Sequence, residues 1–129
     1  MSKELIYGDI SYKINGILFN VHNELGRYCN EKQYSDAIEK KLAESGLVYE
    51  REKILPPSFD GEAKGRNRID FLIQNKIILE IKAKNIVGRE DYYQSRRYLG
   101  ALKVKLALIV NFRSKELRIK RILNSSVNE

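Results

Sequence analysis

Residues 68–84 read RIDFLIQNKIILEIKAK, and this stretch decides the fold. Its two halves are apolar and rich in isoleucine, and they flank the polar triplet QNK, so the pattern predicts two antiparallel strands joined by a tight turn. Charged side chains interrupt both strands: Asp70 in the first, Glu80 and Lys82 in the second. Because side chains alternate between the two faces of a strand, Glu80 and Lys82 lie on the same face.

The length of the turn decides whether Asp70 shares that face. A two-residue loop at Asn75-Lys76 would place Asp70 opposite Ile81 and Glu80 on the other face. An odd loop centred on Asn75 would place Asp70 directly opposite Glu80, and asparagine tolerates the left-handed conformation that such loops require. A β-bulge would have the same effect. The sequence therefore allows the two acids to converge without requiring it.

The rest of the chain predicts a layered α/β domain. Apolar residues at helical spacing between Ile10 and Leu25 predict a first helix that ends at Gly26. Asn30 is placed to cap a second helix that ends before Gly46. The other predicted elements, in chain order, are a strand at 47–54, the hairpin strands at 68–73 and 77–84, a helix at 89–102, and strands at 104–112 and 116–123. The predicted order is therefore ααβββαββ.

Composition limits the classes of protein to which the chain can belong. It has 129 residues, of which 43% are apolar and 32% are charged, and these values exclude a disordered or membrane-embedded chain. We expect one domain at residues 1–123, followed by a polar tail at 124–129. No stretch of about eighteen apolar residues is free of charge, so we expect no membrane contact.

Cysteine content, chain start and net charge bear on compartment and partners. Cys29 is the single cysteine, which excludes an internal disulfide and a cysteine-based zinc site. Residues 1–6 lead into a Gly-Asp pair too soon to hold a signal-peptide core, so we expect a cytoplasmic protein. Lysine and arginine number 24 against 17 acidic residues, a net charge of +7. This excess indicates a polyanionic partner such as nucleic acid.

The hairpin acids Asp70 and Glu80 define the candidate chemistry. If they converge, their repulsion needs relief by protonation or by a bound cation, and two charged oxygen ligands suit Mg²⁺ or Mn²⁺. Lys82 beside such a cation would orient a water molecule or stabilise the charge that builds on a phosphate, as metal-assisted phosphodiester hydrolysis requires. The alternative is a solvated outer face, since a chain with 32% charged residues produces such spacings by chance. The apolar neighbours of Asp70 argue against that alternative.

The chain resembles the GxxExxY proteins, a family of small proteins within the PD-(D/E)xK nuclease superfamily, from about Ile10 to Ile122. The matching pieces follow one another in the family's order. They are Leu25-Gly26, Glu31 with Tyr34, Gly46-Leu47, Arg51-Glu52, Phe59-Asp60-Gly61-Glu62, Arg68-Ile69-Asp70-Phe71, Glu80-Ile81-Lys82-Ala83, Gln94 with Tyr98-Leu99, and Asn111-Phe112. The order of the pieces, more than any one of them, makes the resemblance specific.

The resemblance implies a restriction-endonuclease-like core, in which a central mixed β-sheet is flanked by helices. It implies that Asp70 and Glu80 bind Mg²⁺ or Mn²⁺, with the Ile81 carbonyl as a further ligand. Lys82 would be the catalytic lysine, and Glu31 would complete the acidic cluster as another metal ligand. The remaining implied residues are Gln94, which would face the same pocket, and Tyr34, which would have a supporting packing role.

The sequence departs from the family pattern at two positions. The family has a second glycine shortly after the first, and here Tyr28 stands in its place two residues after Gly26. Glu31 and Tyr34 keep their spacing, so the departure concerns the loop conformation and the direction of Glu31. Ile69 stands where the superfamily name has proline.

Basic residues flank the proposed site in sequence and predict contacts with a polyanion. The expected nucleic-acid-binding residues are Arg66, Arg68, Arg96, Arg97 and Tyr98. Phosphate contacts of this kind give salt-dependent binding without base specificity. Two functions follow: a metal-dependent nuclease acting on DNA more than on RNA, or a non-catalytic nucleic-acid- or protein-binding module that keeps the nuclease fold. A homodimer formed through a sheet edge is a further prediction.

Overall fold

A computed structural model describes residues 6–128 and confirms the predicted order of elements. The elements are α1 Gly8–Leu25, α2 Glu31–Ser45, β1 Tyr49–Ile54, β2 Arg68–Ile73, β3 Ile77–Lys82, α3 Arg89–Leu102, β4 Leu106–Asn111 and β5 Arg118–Leu123. Residues 1–5 and residue 129 lie outside the described residues. The prediction for the chain start, the first residues of the predicted domain 1–123 and the last residue of the predicted tail fall on these positions. In the described part, no helix is both long enough and apolar enough to cross a membrane.

The five strands form one mixed sheet in the order β1-β2-β3-β4-β5. Neighbouring strands are antiparallel except β3 and β4, which run parallel. A parallel pair needs a long crossover connection, and α3 supplies it. The central mixed sheet with flanking helices confirms the predicted α/β class.

Helices cover both faces of the sheet and create two apolar cores. On one face α1 and α2 pack against the strands through buried residues such as Leu18, Ile38 and Phe71. On the other face α3 packs through Tyr98 and Leu99, with its contacts mainly to β4 and β5. All six residues of β4 are buried, as expected for a strand that is covered on both sides.

The hairpin turn between β2 and β3 has three residues, so the odd-loop alternative is correct. Ile73 pairs with Ile77, and the register leaves Asp70 opposite Glu80. Asn75 has the expected left-handed backbone, with φ of 54°, and Gln74 adopts it as well, with φ of 55°. Two hydrogen bonds between Gln74 and Val48, which lies just before β1, compensate for that strain. The Gln74 N–H donates to the Val48 carbonyl at 2.8 Å, and the Gln74 side-chain oxygen accepts the Val48 N–H at 2.7 Å.

Strand β3 ends at Lys82, two residues earlier than predicted, because side chains take over its hydrogen bonds. The Ala83 N–H donates to Glu31 Oε2, and the Lys84 N–H donates to Asn111 Oδ1, both at 3.2 Å. The apolar pattern carries no signal for this change of partner. The end of β3 therefore becomes a place where side chains from α2 and β4 meet.

Candidate active site

A cavity of about 270 Å³ opens beside the hairpin acids. It is lined by Glu31, Glu52, Arg66, Arg68, Ile69, Asp70, Glu80, Lys82, Gln94 and Tyr98. All of these except Glu52 and Ile69 are residues that the sequence analysis predicts for the site. The tertiary structure therefore brings residues from β1, β2, β3, α2 and α3 to one cavity.

Asp70 and Glu80 form the acidic centre of this cavity. Glu80 is 5% exposed, and its Oε1 has no hydrogen-bond partner among the described residues. Burial raises the pKa of Glu80 to about 9, the charge of Asp70 acts in the same direction, and Lys82 opposes the shift. A buried carboxylate with an unsatisfied oxygen beside a second acid fits a cation or a shared proton. Its burial also excludes the solvated outer face as an interpretation of Glu80.

The edge of β3 anchors two of the predicted metal ligands. Pairing between β2 and β3 stops at Phe71 and Leu79, beyond which the two strands separate. In the gap the Ile81 N–H donates to Asp70 Oδ2 at 2.6 Å, and the Ala83 N–H donates to Glu31 Oε2 at 3.2 Å. Alternate N–H groups leave a strand on the same side, so Asp70 and Glu31 replace the missing strand partner.

The loop before α2 determines where Glu31 lies. Asn30 caps α2 through a capping box with Gln33, as its position in the sequence predicts. The hydroxyl of Tyr34, which is fully buried, donates to the Gly26 carbonyl at 2.6 Å and accepts the Cys29 N–H at 3.2 Å. The Tyr34 ring stacks on Phe112 with ring centroids 4.2 Å apart. These contacts describe the supporting role of Tyr34, which lies outside the cavity lining.

Tyr28 stands where the resemblance predicts a second glycine, and hydrogen bonds from Arg113 stabilise the loop around it. The Arg113 side chain donates to the carbonyls of Arg27 at 2.7 Å and Cys29 at 3.1 Å. Tyr28 is exposed, and the guanidinium groups of Arg27 and Arg113 lie 5.2 Å and 5.9 Å from its ring centroid. The loop accommodates the larger side chain at the surface, and Glu31 still reaches the cavity.

The ammonium group of Lys82 is paired with an acid of α3. Its Nζ lies 3.7 Å from Asp91 Oδ1. Asp91 also accepts a hydrogen bond from Lys84 Nζ at 2.7 Å and one from the Gly88 N–H at 3.0 Å, which caps α3. Burial disfavours the ionised form of Asp91, but the bonds from Lys84 and Gly88 and the charge of Lys82 lower its pKa overall. Asp91 was not among the predicted site residues.

Helix α3 contributes a polar wall to the cavity. Gln94 and Tyr98 lie one turn apart on this helix and both line it. Tyr98 is 6% exposed, and burial together with the negative charge of Glu80 raises its pKa. Arg66 and Arg68 lie exposed at the opposite rim. Uncharged polar groups and cations therefore line the cavity together with its acids.

Two predicted nucleic-acid-binding residues lie outside this lining. Arg97 is exposed and, with Tyr98, lines a neighbouring cavity of about 380 Å³ beside Pro56 and Pro57. Arg96 is also exposed, and its guanidinium group lies 5.9 Å from the ring centroid of Tyr92. Both arginines therefore belong to the surface around the site rather than to the cavity itself.

Glu52 is a cavity residue to which the sequence analysis assigned no role. Glu52 lies on β1, where its neighbours Arg51 and Lys53 pair with Phe71 and Ile69 of β2. This register places Glu52 opposite Asp70. Its φ of 53° lies in the left-handed region, which is unusual for a non-glycine residue in a strand. The pair Arg51-Glu52 was part of the family resemblance, but strand alternation carries no signal for a left-handed residue.

The acids of the cavity do not form a closed metal cage. Among residues 6–128, no three histidine, cysteine or acidic side chains come together as a group that could hold a metal ion. Glu31 lines the cavity, but its Oε2 is bound to the Ala83 N–H. A cation would therefore rely on Asp70 and Glu80, with backbone or water oxygens completing its shell.

Comparisons with known proteins agree with this fold. No curated protein sequence matches the chain. Among solved structures, it is similar to the crystal structure of an alkaline exonuclease (LHK-Exo) from Laribacter hongkongensis, with a TM-score of 0.51. The identity is 14%, over 98% of this chain and 73% of that chain, so the likeness shows the fold alone. A family model of the PD-(D/E)XK nuclease superfamily matches residues 8–122. Because that match spans most of the chain, the protein belongs to the PD-(D/E)XK nuclease superfamily.

Proposed function

We propose that the protein is a metal-dependent nuclease that hydrolyses phosphodiester bonds of nucleic acid. Membership of the superfamily supports this class of reaction and the use of a divalent metal ion. The observation that carries the proposal is the buried Glu80 carboxylate, whose Oε1 has no partner among the described residues. Two neighbouring acids, one of them buried with an unpartnered oxygen, would destabilise the folded protein if they had only a structural role. A bound cation would provide a partner for both carboxylates.

The chain offers oxygen ligands suited to Mg²⁺ or Mn²⁺. Asp70 and Glu80 supply carboxylate oxygens, which hard divalent cations prefer. The Ile81 carbonyl lies on the same strand edge as the Ile81 N–H that binds Asp70, because both groups of one residue leave a strand on the same side. Glu31 is anchored at the next N–H along this edge. A bound cation would supply a Lewis acid and an activated water.

The other cavity residues act on the substrate and on the attacking water. Lys82 places a positive charge beside the carboxylates, where it stabilises charge that develops on the phosphate oxygens. The Gln94 amide lines the same cavity and can orient a water molecule. Arg66 and Arg68 bind the flanking phosphates, and Tyr98 lines the cavity from α3 as a further contact for nucleic acid.

Cleavage assays with purified protein test this proposal. Labelled single- and double-stranded DNA, and RNA of the same sequence, are incubated with Mg²⁺, with Mn²⁺ or with a chelator. We expect metal-dependent cleavage of DNA in preference to RNA. Glu80→Gln and Lys82→Ala should each lower kcat by at least about a hundredfold, because the first removes a charged ligand of the metal ion and the second removes the ammonium that stabilises developing charge.

Matched controls separate the site from the rest of the surface. Glu44→Gln and Lys40→Ala make the same changes at exposed positions of α2 and should leave the rate within about twofold of wild type. Equal cleavage by all variants would reveal a contaminating enzyme and refute the proposal. Salt-sensitive DNA binding without cleavage in any metal would favour the non-catalytic binding module instead. Light scattering on the same samples measures whether the chain forms the predicted homodimer.

A further inference from the structure

We propose that Asp91 is a positioning residue that holds the ammonium group of Lys82 in the cavity, an inference that rests on the proposed nuclease function. Asp91 lies on α3, across the cavity edge from β3, and is 8% exposed. Its Oδ1 is 3.7 Å from Lys82 Nζ. Among the described residues, Asp91 is the acid with which Lys82 forms an ion pair.

The anchoring of Asp91 makes it suited to this role. The Gly88 N–H bonds to its Oδ2 at 3.0 Å in the capping box that starts α3. Lys84 Nζ lies 2.7 Å from the same carboxylate and holds it from the solvent side. Asp91 therefore has a fixed geometry that does not depend on Lys82. A group that is already ordered can orient a flexible partner at little further cost in entropy.

Lys82 needs a fixed anionic partner because it lies between Asp91 on α3 and the hairpin acids Asp70 and Glu80. A lysine side chain carries a compact charge at the end of a flexible four-carbon stem, so the position of its ammonium depends on the nearest anion. Asp70 and Glu80 line the same cavity and lie next to it on the sheet. Without Asp91, the ammonium would move onto those carboxylates and compete with the metal ion. The pair at 3.7 Å is longer than a direct hydrogen bond, which leaves the ammonium free to donate to a phosphate.

Asp91→Asn isolates the charge of this residue. The asparagine oxygen can still accept the Gly88 N–H, so the cap of α3 is kept while the ion pairs with Lys82 and Lys84 are lost. We expect kcat to fall about tenfold with KM for DNA unchanged, a loss typical of residues that orient a functional group. Asp91→Ser, a shorter uncharged acceptor, serves as the second variant if the first does not fold. Glu90→Gln, also an acid in the first turn of α3, is the matched control.

A double-mutant cycle tests whether Asp91 acts through Lys82. In a Lys82→Ala background, Asp91→Asn should produce no further loss of kcat, since the group that it orients is already absent. An undiminished loss in that background would show that Asp91 acts independently of Lys82 and would overturn the proposal. The same conclusion would follow if Asp91→Asn and Glu90→Gln had equal effects on kcat.

A spectroscopic readout keeps this inference separate from the nuclease activity. In ¹H–¹⁵N spectra of the lysine ammonium groups of the metal-free protein, a largely buried ammonium that an ion pair keeps in place exchanges more slowly with water than an exposed one and gives a signal. We expect a Lys82 signal, assigned by its loss in Lys82→Arg, in wild type and Glu90→Gln but not in Asp91→Asn. A Lys82 signal that persists in Asp91→Asn would refute the positioning role. If wild type shows the signal but cleaves nothing, the proposed function alone has failed.

Discussion

Glu80 is an acid whose surroundings favour its neutral form. It lies in β3 between two apolar cores, with Asp70 beside it and Oε1 without a partner among the described residues. Burial raises its pKa to about 9, from an ordinary value of 4.5. The folded metal-free protein therefore binds more protons than the unfolded chain between these two pH values. The contribution of Glu80 to the free energy of unfolding therefore falls as the pH rises from about 4.5 to about 9.

Glu80→Gln should therefore stabilise the metal-free protein at high pH. Glutamine is neutral at every pH and can donate a hydrogen bond to Asp70. We expect the melting temperature at pH 8, measured by circular dichroism with a chelator, to exceed that of wild type by about 5 °C. The difference should shrink towards pH 5, because the unfolded chain there approaches the ordinary pKa of Glu80 and begins to bind the same proton.

The exposed Glu44→Gln variant on α2 controls for the loss of one negative charge. Its melting temperature should follow that of wild type at both pH values. A Glu80→Gln protein that is less stable than wild type at pH 8 would contradict the assignment of a neutral, buried Glu80. Mg²⁺ should stabilise wild type more than Glu80→Gln, since binding to the folded state raises its stability.

At the scale of elements, the site forms where the sheet stops being regular. Going away from the hairpin turn, the pairing of β2 and β3 ends at Phe71 and Leu79. In the gap beyond this pair, the Asp70 side chain accepts a hydrogen bond from the Ile81 N–H. Across the sheet, Glu52 of β1 takes a left-handed conformation at the position opposite Asp70. Strain of this kind persists where the surrounding structure enforces it, and it is common at functional sites.

The strain at Glu52 predicts an unusual response to glycine. Glu52→Gly and Glu52→Ala both remove the carboxylate, but glycine adopts positive φ without a steric penalty. We expect Glu52→Gly to be more stable than Glu52→Ala by about 1 kcal/mol in urea unfolding. At Glu50, which is exposed on the same strand and has no positive φ, glycine should be the less stable of the two. If the glycine and alanine variants had the same order of stability at both positions, the left-handed conformation of Glu52 would be contradicted.

At the scale of the whole molecule, the positive charge surrounds a small acidic centre. Arg66 and Arg68 lie at the rim of the cavity, and Arg97 lies beside it. These arginines therefore lie where a phosphate chain that reaches the cavity would pass. Contacts between exposed arginines and phosphates are sequence-independent and weaken as salt screens them.

Removal of one rim arginine should change the salt dependence of DNA binding. Anisotropy of a labelled DNA duplex, titrated without divalent metal at several KCl concentrations, gives the slope of log K against log salt. We expect Arg68→Ala to make this slope shallower by about 1, the value for one lost phosphate contact. Lys40→Ala, an exposed change on α2 on the other face of the sheet, should leave it unchanged. Equal slopes for wild type and Arg68→Ala would remove Arg68 from the binding surface.

The local pattern of the sequence determined the elements and singled out the hairpin residues Asp70, Glu80 and Lys82. Helical spacing from Ile10 to Leu25 and the apolar strands on either side of the QNK triplet depend on residues close together in the chain. Burial of an amphipathic face dictates such periodicities, so the order ααβββαββ followed from the sequence. The resemblance then added Glu31 and Gln94, which have no signal of their own in the local pattern.

Only the tertiary structure decided how these residues meet. The three-residue turn depends on Val48, which is 26 residues from Gln74 and satisfies its strained backbone. The left-handed Glu52 and the Lys82–Asp91 pair likewise depend on neighbouring elements rather than on neighbours in sequence. Periodicity specifies which face of its own element a side chain occupies. Convergence on one cavity requires long-range hydrogen bonds and packing, which no local pattern encodes.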